Sequence, residues 1–255
     1  MTTVPSNHPE PNRKEAILRD ESGTILARVA YPSGKLMEEI VSKTLSGGEY
    51  PVPDFLSGRE VVIVDVGANV GAAAVFFRCV YPHARIYCYE PAPEAYSFAV
   101  ENLRPFDGVQ VFPFGWYDKN CRVPLYTGKV ASVTSSIVPS FETGDSTVEI
   151  ELRQASTELD RLMLEHVSIL KLDTEGCEVP ILLDLEPMLD RVESLLIEYH
   201  SERDRREIDR ILADRFALYY SQSRSLHRGV VGYVANRLVA EKPNWNAFAI
   251  PRPIH

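Results

Sequence analysis

The stretch "VVIVDVGANVGAAAVFFRC", Val61 to Cys79, decides the fold. It begins as an unbroken apolar run, passes through a short turn with two glycines, and continues into alanines. A continuous apolar run followed by a glycine turn is typical of a strand buried on both faces that leads into a helix. We predict that the turn holds a nucleotide-like ligand. The alternative is a tight strand–helix turn that binds nothing.

Apolar strands and helices alternate from Glu60 to the end of the chain. The further predicted strands are "ARIYCYE", "VQVFPFG", "VSILKLD", "SLLIEYH", "FALYYSQS" and "WNAFAIP", and the helices between them include "PEAYSFAVENL", "EVPILLDLEPML" and "RDRREIDRILADR". This alternation predicts an α/β fold with a mostly parallel, doubly wound sheet. Pro251 and Pro253 bound the last strand, which we expect to be an antiparallel C-terminal edge strand.

Three regions are predicted along the chain. Residues 1–13 are polar and rich in proline, which favours a disordered arm. Residues 14–58 combine a hairpin around Ser22 and Gly23 with a helix over Lys35–Leu45, and we expect them to form a cap. Residues 59–255 form the main domain. Within it, a segment rich in Ser, Thr and β-branched residues follows the third strand and predicts an inserted hairpin or edge strands.

Composition excludes several classes of function. The 255 residues carry a formal net charge of −9, so a broad nucleic-acid surface or an anionic-membrane surface is not expected. The four cysteines show no paired metal-ligand spacing, which favours reduced thiols. The first residues contain no apolar signal region, and no apolar run is long enough to cross a bilayer. We therefore expect a cytoplasmic protein, and homo-oligomerisation stays open.

The glycine turn does not match a dinucleotide fingerprint. That fingerprint needs glycine at positions 67, 69 and 72, whereas Asn69 and Ala72 stand at the last two. Asp65 places an anion at the strand end, where a diphosphate is repelled and a cationic ammonium or sulfonium is attracted. Gly67 lets the backbone turn tightly against a ligand, and Gly71 lets the next helix approach the sheet.

Two later positions complete a predicted nucleoside site. Glu90, at the tip of the second strand, is placed to accept hydrogen bonds from both hydroxyls of a ribose. Gly115 and Trp116 can frame a flat adenine, although burial of Trp116 in the core is the competing interpretation. Together these features favour S-adenosylmethionine over NAD. The predicted cofactor-binding residues are Asp65, Gly67, Ala68, Asn69, Gly71, Glu90, Pro91, Gly115, Trp116 and Asp173.

The motifs "VVIVDVGANVG", "YCYEPAPEAYSFAVENL", "ILKLDTEGCEVPILLDL" and "LLIEYH" resemble the FkbM family of S-adenosylmethionine-dependent methyltransferases. The resemblance implies a Rossmann-like class I methyltransferase that methylates a hydroxyl of a sugar or natural-product small molecule. Its partner is then a small-molecule or glycan acceptor. The sequence departs from the family at Gly115–Trp116, where a small residue and an aliphatic one are expected, and at Cys177.

Methyl transfer to a hydroxyl needs a base or a metal ion, because a neutral alcohol is a poor nucleophile. The predicted catalytic residues are Asp173, Glu175, Glu198 and His200, which follow or end two strands. His200 is the first choice as general base, since an unperturbed imidazole has a pKa of about 6.5. The alternative is a divalent cation such as Mg²⁺, held by Asp173 with Glu175 or Glu198 or by an Asp/Glu/His cluster, which would lower the pKa of the hydroxyl. The sequence leaves base and metal open.

Three alternative functions are less favoured by the sequence than methyl transfer. An NAD(P)-dependent oxidoreductase is disfavoured by the missing fingerprint, and an RNA-ribose methyltransferase by the acidic charge. A non-catalytic subunit is disfavoured because the cofactor motifs are intact. Lys171, inside an apolar strand, is expected to pair with a carboxylate, and Glu178 to cap or pack. The segment "SQSRSLHRG", with Arg224, is expected to be a flexible surface loop.

Overall fold

The computed structural model describes residues 13–52, 54–128 and 143–241. The predicted arm up to residue 12, the middle of the predicted insertion at 129–142 and the last predicted strand at 245–251 lie outside these residues. Among the described residues, no helix combines the length and apolar character that crossing a bilayer requires.

Strands and helices alternate over most of the described chain. In chain order the strands are β1 (Arg13–Arg19), β2 (Ile25–Pro32), β3 (Val62–Val66), β4 (Arg85–Tyr89), β5 (Val109–Phe112), β6 (Gly115–Tyr117), β7 (Cys121–Gly128), β8 (Thr143–Gln154), β9 (Ile169–Leu172), β10 (Ser194–Tyr199), β11 (Phe216–Ser225) and β12 (Arg228–Ala235). The helices are α1 (Lys35–Leu45), α2 (Ala72–Val80), α3 (Pro93–Leu103), α4 (Ala155–Arg161), α5 (Glu178–Leu185), α6 (Glu202–Leu212) and α7 (Asn236–Glu241). Short 3₁₀ turns lie at Asp54–Leu56 and Glu186–Arg191.

A seven-stranded sheet with the order β11-β12-β10-β9-β3-β4-β5 forms the centre of the molecule. The five strands from β10 to β5 are parallel, whereas β12 runs antiparallel to both of its neighbours. The predicted α/β fold with a mostly parallel, Rossmann-like sheet is confirmed. After β3, the chain adds β4 and β5 on one side of this strand, and it later adds β9 and β10 on the other side. Ligands bind such sheets at this reversal, beyond the carboxyl ends of the strands.

Both faces of the central sheet are covered, which explains the continuous apolar run of β3. Ile63 packs in an apolar cluster that includes residues of α2 and α3. Its neighbours Val62 and Val64 pack in a second cluster with residues of α5 and α6. Since successive side chains of a strand point to opposite faces, a strand between two helical layers needs apolar residues throughout.

The N-terminal hairpin and helix form as predicted. β1 and β2 pair antiparallel, and the turn between them is closed by a bond from the Gly23 amide to the Asp20 carbonyl. Arg13 begins β1, so the predicted arm is too long by this residue. The buried Asn102 amide donates to the carbonyls of Ala30 and Val70, 2.8 Å away in each case, and so fixes the hairpin to the main sheet layer. The boundary between residues 58 and 59 stays a prediction.

The predicted insertion is a separate three-stranded sheet with the order β6-β8-β7. β7 and β8 pair antiparallel, which confirms the predicted edge strands. The prediction of one strand over "VQVFPFG" is wrong, because β5 ends at Phe112 and β6 begins at Gly115 in the other sheet. Pro113 lies between them and has no amide hydrogen with which to continue the ladder.

The predicted surface loop after residue 221 is wrong as well. β11 continues to Ser225, and β12 returns from Arg228 between β11 and β10. Gly229 and Gly232 lie inside β12, where added Cβ atoms would meet the rings of Tyr199 and Tyr219 at 2.8 Å. Glycines inside this strand therefore make room for tyrosines.

Candidate active site

One cleft lies at the reversal of strand order, beyond the carboxyl ends of β3, β4, β9 and β10. It encloses about 1150 Å³ between protein atoms, part of it open to solvent. Its walls differ on the two sides of β3, and the two sides are described separately below.

We call the β4 side the turn end, defined by residues 67–69, Glu90, Pro91, Gly115 and Trp116, all of which line the cleft. Gly67 and Asn69 have φ angles of 81° and 50°. An added Cβ on Gly67 would lie 1.7 Å from the carbonyl oxygen of Asp173. The glycine is therefore required by the neighbouring strand end as well as by the turn.

Gly71 does not line the cleft, contrary to the prediction of cofactor contact. It precedes α2 with a φ of 82°, and an added Cβ would meet Leu103 Cδ1 at 3.0 Å and Ala99 Cα at 3.4 Å. Because Leu103 and Ala99 belong to α3, this glycine lets α2 approach α3. Its observed role is in the packing of α2 against α3.

Glu90 is buried at the tip of β4 and faces the cleft. Its Oε2 accepts a hydrogen bond from the Asn69 amide and its Oε1 accepts one from the Ala92 amide, both at 2.8 Å. A carboxylate oxygen can accept two bonds, so each retains a free lone pair. Burial raises the pKa of Glu90 to about 7, against the opposing effect of these amides. The arrangement fits two adjacent hydroxyl donors.

Trp116 is buried in the second apolar cluster, as the competing interpretation expected, and it also lines the cleft. Its ring packs against Tyr89 at 4.8 Å between centroids, and the side chain is 1% exposed. The indole Nε1 is buried with no hydrogen-bond partner among the described residues. Gly115 lies against Leu152, whose Cδ2 is 2.7 Å from an added Cβ. Gly115 therefore makes room for a side chain of the protein, whereas the sequence analysis expected it to make room for the adenine.

Asp65 is placed differently from its prediction. Its carboxylate is fully buried in β3 and accepts a hydrogen bond of 2.8 Å from the Lys171 ammonium, and it does not line the cleft. Burial alone would lower the pKa of Lys171, but Asp65 and Asp173 outweigh it and raise that pKa above its ordinary value. Lys171 also donates to the Gly67 carbonyl at 3.0 Å. The pair is an internal ion pair beneath the turn, which confirms the structural role expected for Lys171.

We call the opposite side the charged end, defined by Glu49, Tyr50, Asp173, Glu175, Glu198 and Arg224, which also line the cleft. Arg224 lies on β11 and binds two carboxylates: its Nη1 is 2.6 Å from Glu198 Oε2, and its Nη2 donates to Glu49. The sequence analysis missed this pairing. No local signal could reveal it, because Glu49 and Arg224 are 175 residues apart.

Asp173 and Glu198 are carboxylates with opposite pKa shifts. Burial would raise the pKa of Asp173, but Lys171 and other cations lower it below its ordinary value, and Tyr50 donates a 3.1 Å bond to Oδ2. Burial and the charge of Asp173 raise the pKa of Glu198, with Arg224 opposing them. The predicted catalytic residues Asp173, Glu175 and Glu198 are thus brought together in the cleft wall.

His200 stays a prediction as general base, and the structure places its imidazole among three carboxylates. Its Nδ1 is 3.4 Å from Glu175 Oε2, and its Nε2 is 3.5 Å from Glu178 Oε1 and 3.9 Å from Asp173 Oδ1. Burial alone would lower the pKa of His200, but these carboxylates raise it to about 10. The imidazole does not line the cleft. It lies behind the wall that Asp173 and Glu175 form.

Glu178 holds the loop between β9 and α5. Its Oε1 accepts a 2.8 Å bond from the Thr174 amide, and its Oε2 accepts a 3.1 Å bond from the Gly176 amide. The side chain is buried at the first residue of α5. This confirms the structural role expected for Glu178 and fixes the loop that carries Glu175.

Comparison with known proteins identifies the class. Residues 65–221 match the model of the Methyltransferase FkbM domain, which covers more than half of the chain. Together with the fold, this match defines the protein as a methyltransferase. The chain belongs to the FkbM methyltransferase family, and the resemblance predicted from its motifs is confirmed.

Two curated relatives carry the same class name. The chain is 22% identical over 165 residues to 2-O-methyltransferase NoeI of Sinorhizobium fredii, covering 59% of this chain and 68% of that protein. It is 27% identical over 186 residues to Methyltransferase sdnD of Sordaria araneosa, covering 60% and 72%. A precorrin-6y C5,15-methyltransferase from Geobacter metallireducens GS-15 overlaps with a TM-score of 0.42 and 15% identity, covering 77% and 87%. The fold assignment depends on the order and direction of the strands and not on this structural similarity, whose TM-score is low.

Proposed function

We propose that the protein is an S-adenosylmethionine-dependent O-methyltransferase that acts on a hydroxyl of a sugar or natural-product small molecule. The observation that carries the proposal is the buried Glu90 carboxylate, aimed into the cleft from the tip of β4 with a free lone pair on each oxygen. A carboxylate at this position of a Rossmann-like sheet suits the two hydroxyls of a ribose.

The rest of the turn end fits the same cofactor. The turn at 67–69 provides close backbone approach, and Trp116 provides a flat apolar wall for adenine. At the charged end, Asp173 and Glu198 favour a cationic group over a diphosphate. When bound, S-adenosylmethionine supplies an electrophilic methyl group on a positively charged sulfur.

Glu198 is the residue that we assign to accept the proton of the acceptor hydroxyl, in its ionised form, which its raised pKa of about 8 makes the main form at alkaline pH. It lines the cleft, whereas His200 lies behind the wall. Asp173 and Glu175 each lie within 4 Å of a His200 nitrogen, so both carboxylates already have a cationic partner. Arg224 holds one oxygen of Glu198 at 2.6 Å and so orients the carboxylate. A general base must be positioned in this way before it can act.

The lining that α1 gives to the cleft favours a small molecule as the methyl acceptor. Met37, Ile40 and Val41 of α1 line the cleft and give it a partly apolar wall, in agreement with the predicted cap. The net charge of −9 provides no electrostatic attraction for a nucleic-acid acceptor. The name 2-O-methyltransferase of the relative NoeI supports a hydroxyl as the acceptor group.

Calorimetric titration with S-adenosylmethionine, S-adenosylhomocysteine and NAD⁺ tests the proposal. We expect binding of the first two and none of NAD⁺. Glu90→Gln should weaken S-adenosylhomocysteine binding by about 10–100-fold, because hydrogen bonds to a charged group are lost. Glu94→Gln, an exposed glutamate at the start of α3, is the matched control and should leave affinity unchanged. Binding of NAD⁺ alone, or equal affinities of both variants, would overturn the cofactor assignment.

A further inference from the structure

We propose that Asp173, Glu175 and His200 bind a divalent transition-metal ion, of which Mn²⁺ is the representative, at the wall of the charged end. The site would hold the acceptor hydroxyl, and this role rests on the proposed function. The binding of the ion does not rest on the proposed function, because the three side chains lie close together whatever the cofactor of the protein is. One ligand atom from each residue lies within 4.8 Å of those from the other two.

The distances require only a small contraction. Metal ions of this class hold nitrogen and oxygen ligands at about 2.0–2.2 Å, so two ligands of one ion lie at most roughly 4.4 Å apart. His200 Nδ1 is already 3.4 Å from Glu175 Oε2. A shift of a few tenths of an ångström therefore closes the site. Glu175 and Asp173 are side chains at a loop and a strand end, where such a shift needs no change in the sheet.

His200 provides the independent observation. Its side chain is 9% exposed, and neither ring nitrogen has a hydrogen-bond partner among the described residues. Both nitrogens lie 3.4–3.9 Å from carboxylates, so the ring is surrounded by acceptors without being hydrogen-bonded to any of them. Nδ1 of the ring faces Glu175, and Nε2 lies 3.9 Å from Asp173 Oδ1. A bound cation would take one ring nitrogen and one oxygen of each carboxylate as ligands.

Glu178 supplies the support that a metal-binding histidine needs. Its Oε1 lies 3.5 Å from His200 Nε2, on the opposite side of the ring from the Nδ1 that faces Glu175. When Nδ1 binds the ion, the Nε2 hydrogen can be donated to Glu178. This is the carboxylate–histidine–metal arrangement that fixes the ring orientation in metalloproteins. Glu178 is itself held by the backbone amides of Thr174 and Gly176.

The backbone of the loop is shaped to present Glu175. Glu175 has a φ of 55° and Gly176 a φ of 114°, so two successive residues adopt left-handed conformations. For a glutamate this conformation costs free energy and persists where the surroundings impose it. Here it directs the Glu175 carboxylate toward His200 and the cleft wall.

The ligand set selects the class of ion. Mg²⁺ prefers an all-oxygen octahedron, whereas imidazole suits transition metals and carboxylates also suit Mn²⁺. Two carboxylates and one imidazole therefore favour Mn²⁺ or a related ion over the Mg²⁺ considered from the sequence. Asp173 and Glu175 line the cleft and His200 does not. The remaining coordination positions thus face the cleft, where a metal ion lowers the pKa of a bound hydroxyl.

Electron paramagnetic resonance titration with Mn²⁺ tests the site in the full-length protein after dialysis against a chelator. We expect about one bound ion per chain, with His200→Ala and Glu175→Gln each weakening binding at least about tenfold. His83→Ala, which removes an exposed histidine, should bind Mn²⁺ like the wild type. Mg²⁺ should displace Mn²⁺ only when present in large excess.

Glu175→Gln keeps the test interpretable if His200→Ala fails to fold, because the Glu175 side chain is 30% exposed and the substitution keeps its shape. Wild-type affinity in the Gln variant, or no Mn²⁺ binding by the wild type, would overturn the metal site. S-adenosylhomocysteine is titrated into the same samples. Its binding without Mn²⁺ binding rejects the metal site alone, and the reverse result rejects the proposed cofactor while the metal site stands.

Discussion

The turn end and the charged end of the cleft differ in how their polar groups are satisfied. At the turn end, Glu90 accepts hydrogen bonds from two backbone amides within the turns that follow β3 and β4. At the charged end, side chains from distant segments bind one another, as Arg224 does with Glu49 and Glu198. One end is built from local backbone geometry and the other from long-range ion pairs.

This difference assigns separate tasks to the two ends. Backbone turns are preformed and neutral, so the turn end can recognise a nucleoside without reorganisation. The charged end places Asp173, Glu175 and Glu198 beside Arg224 and in front of His200, which suits proton transfer and cation binding. Substitutions at one end should therefore change cofactor affinity, and substitutions at the other should change turnover.

The largest expected effect comes from Glu198→Gln at the charged end. Loss of a positioned general base lowers the rate by roughly 10²–10⁴-fold, while the affinity for S-adenosylhomocysteine should stay within about threefold. Transfer of labelled methyl groups to a hydroxylated acceptor, together with calorimetry, separates the two quantities. Glu202→Gln, on the exposed start of α6, is the control. A parallel loss of affinity and turnover would show that the two ends are not separable.

The ion pair beneath the turn provides the next prediction. Lys171→Met leaves the Asp65 charge buried and unpaired, which should lower the free energy of unfolding by about 3–5 kcal/mol. Lys35→Met, at a side chain that is 92% exposed, should change it by less than about 0.5 kcal/mol. Urea unfolding measures both. If adding Asp65→Asn to Lys171→Met recovers no stability, the buried charge is not the cause.

Gly67 tests the close approach of the two strand ends. Gly67→Ala combines a left-handed φ with a Cβ 1.7 Å from the Asp173 carbonyl, so we expect a loss of about 2–5 kcal/mol of unfolding free energy. Gly23→Ala has a similar φ of 84° but no atom within 4 Å of the new Cβ, and should cost about 1–2 kcal/mol. Thermal unfolding of both variants checks the difference, and equal losses would remove the argument from close approach.

The smallest effect is a pH dependence at the turn end. The ionised form of Glu90 accepts hydrogen bonds, and its pKa is raised to about 7 by burial. The affinity for S-adenosylhomocysteine should therefore fall roughly tenfold as the pH is lowered from 8 to 6. Binding near pH 7 should also release a proton, detectable by calorimetry in buffers of different ionisation enthalpy. Glu90→Gln should lose this component, and an unchanged pH profile in that variant would assign it to another group.

The same contrast explains what could be predicted from the sequence. The stretch from β3 to α3 follows local rules, since apolar runs, glycines and strand-tip residues such as Glu90 lie within one segment. β12 is not among the predicted strands, and Gly229 and Gly232 inside it make room for tyrosines from other strands. Arg224 and the raised pKa of His200 depend on contacts between distant segments. Such contacts leave no periodic pattern in a single sequence.

A crystal structure of the protein with S-adenosylhomocysteine tests the division of the cleft most directly. The account predicts both ribose hydroxyls on the Glu90 carboxylate, the adenine against Trp116, and the sulfur directed toward Asp173 and Glu198. An adenosine found at the charged end, or outside the cleft, would contradict it.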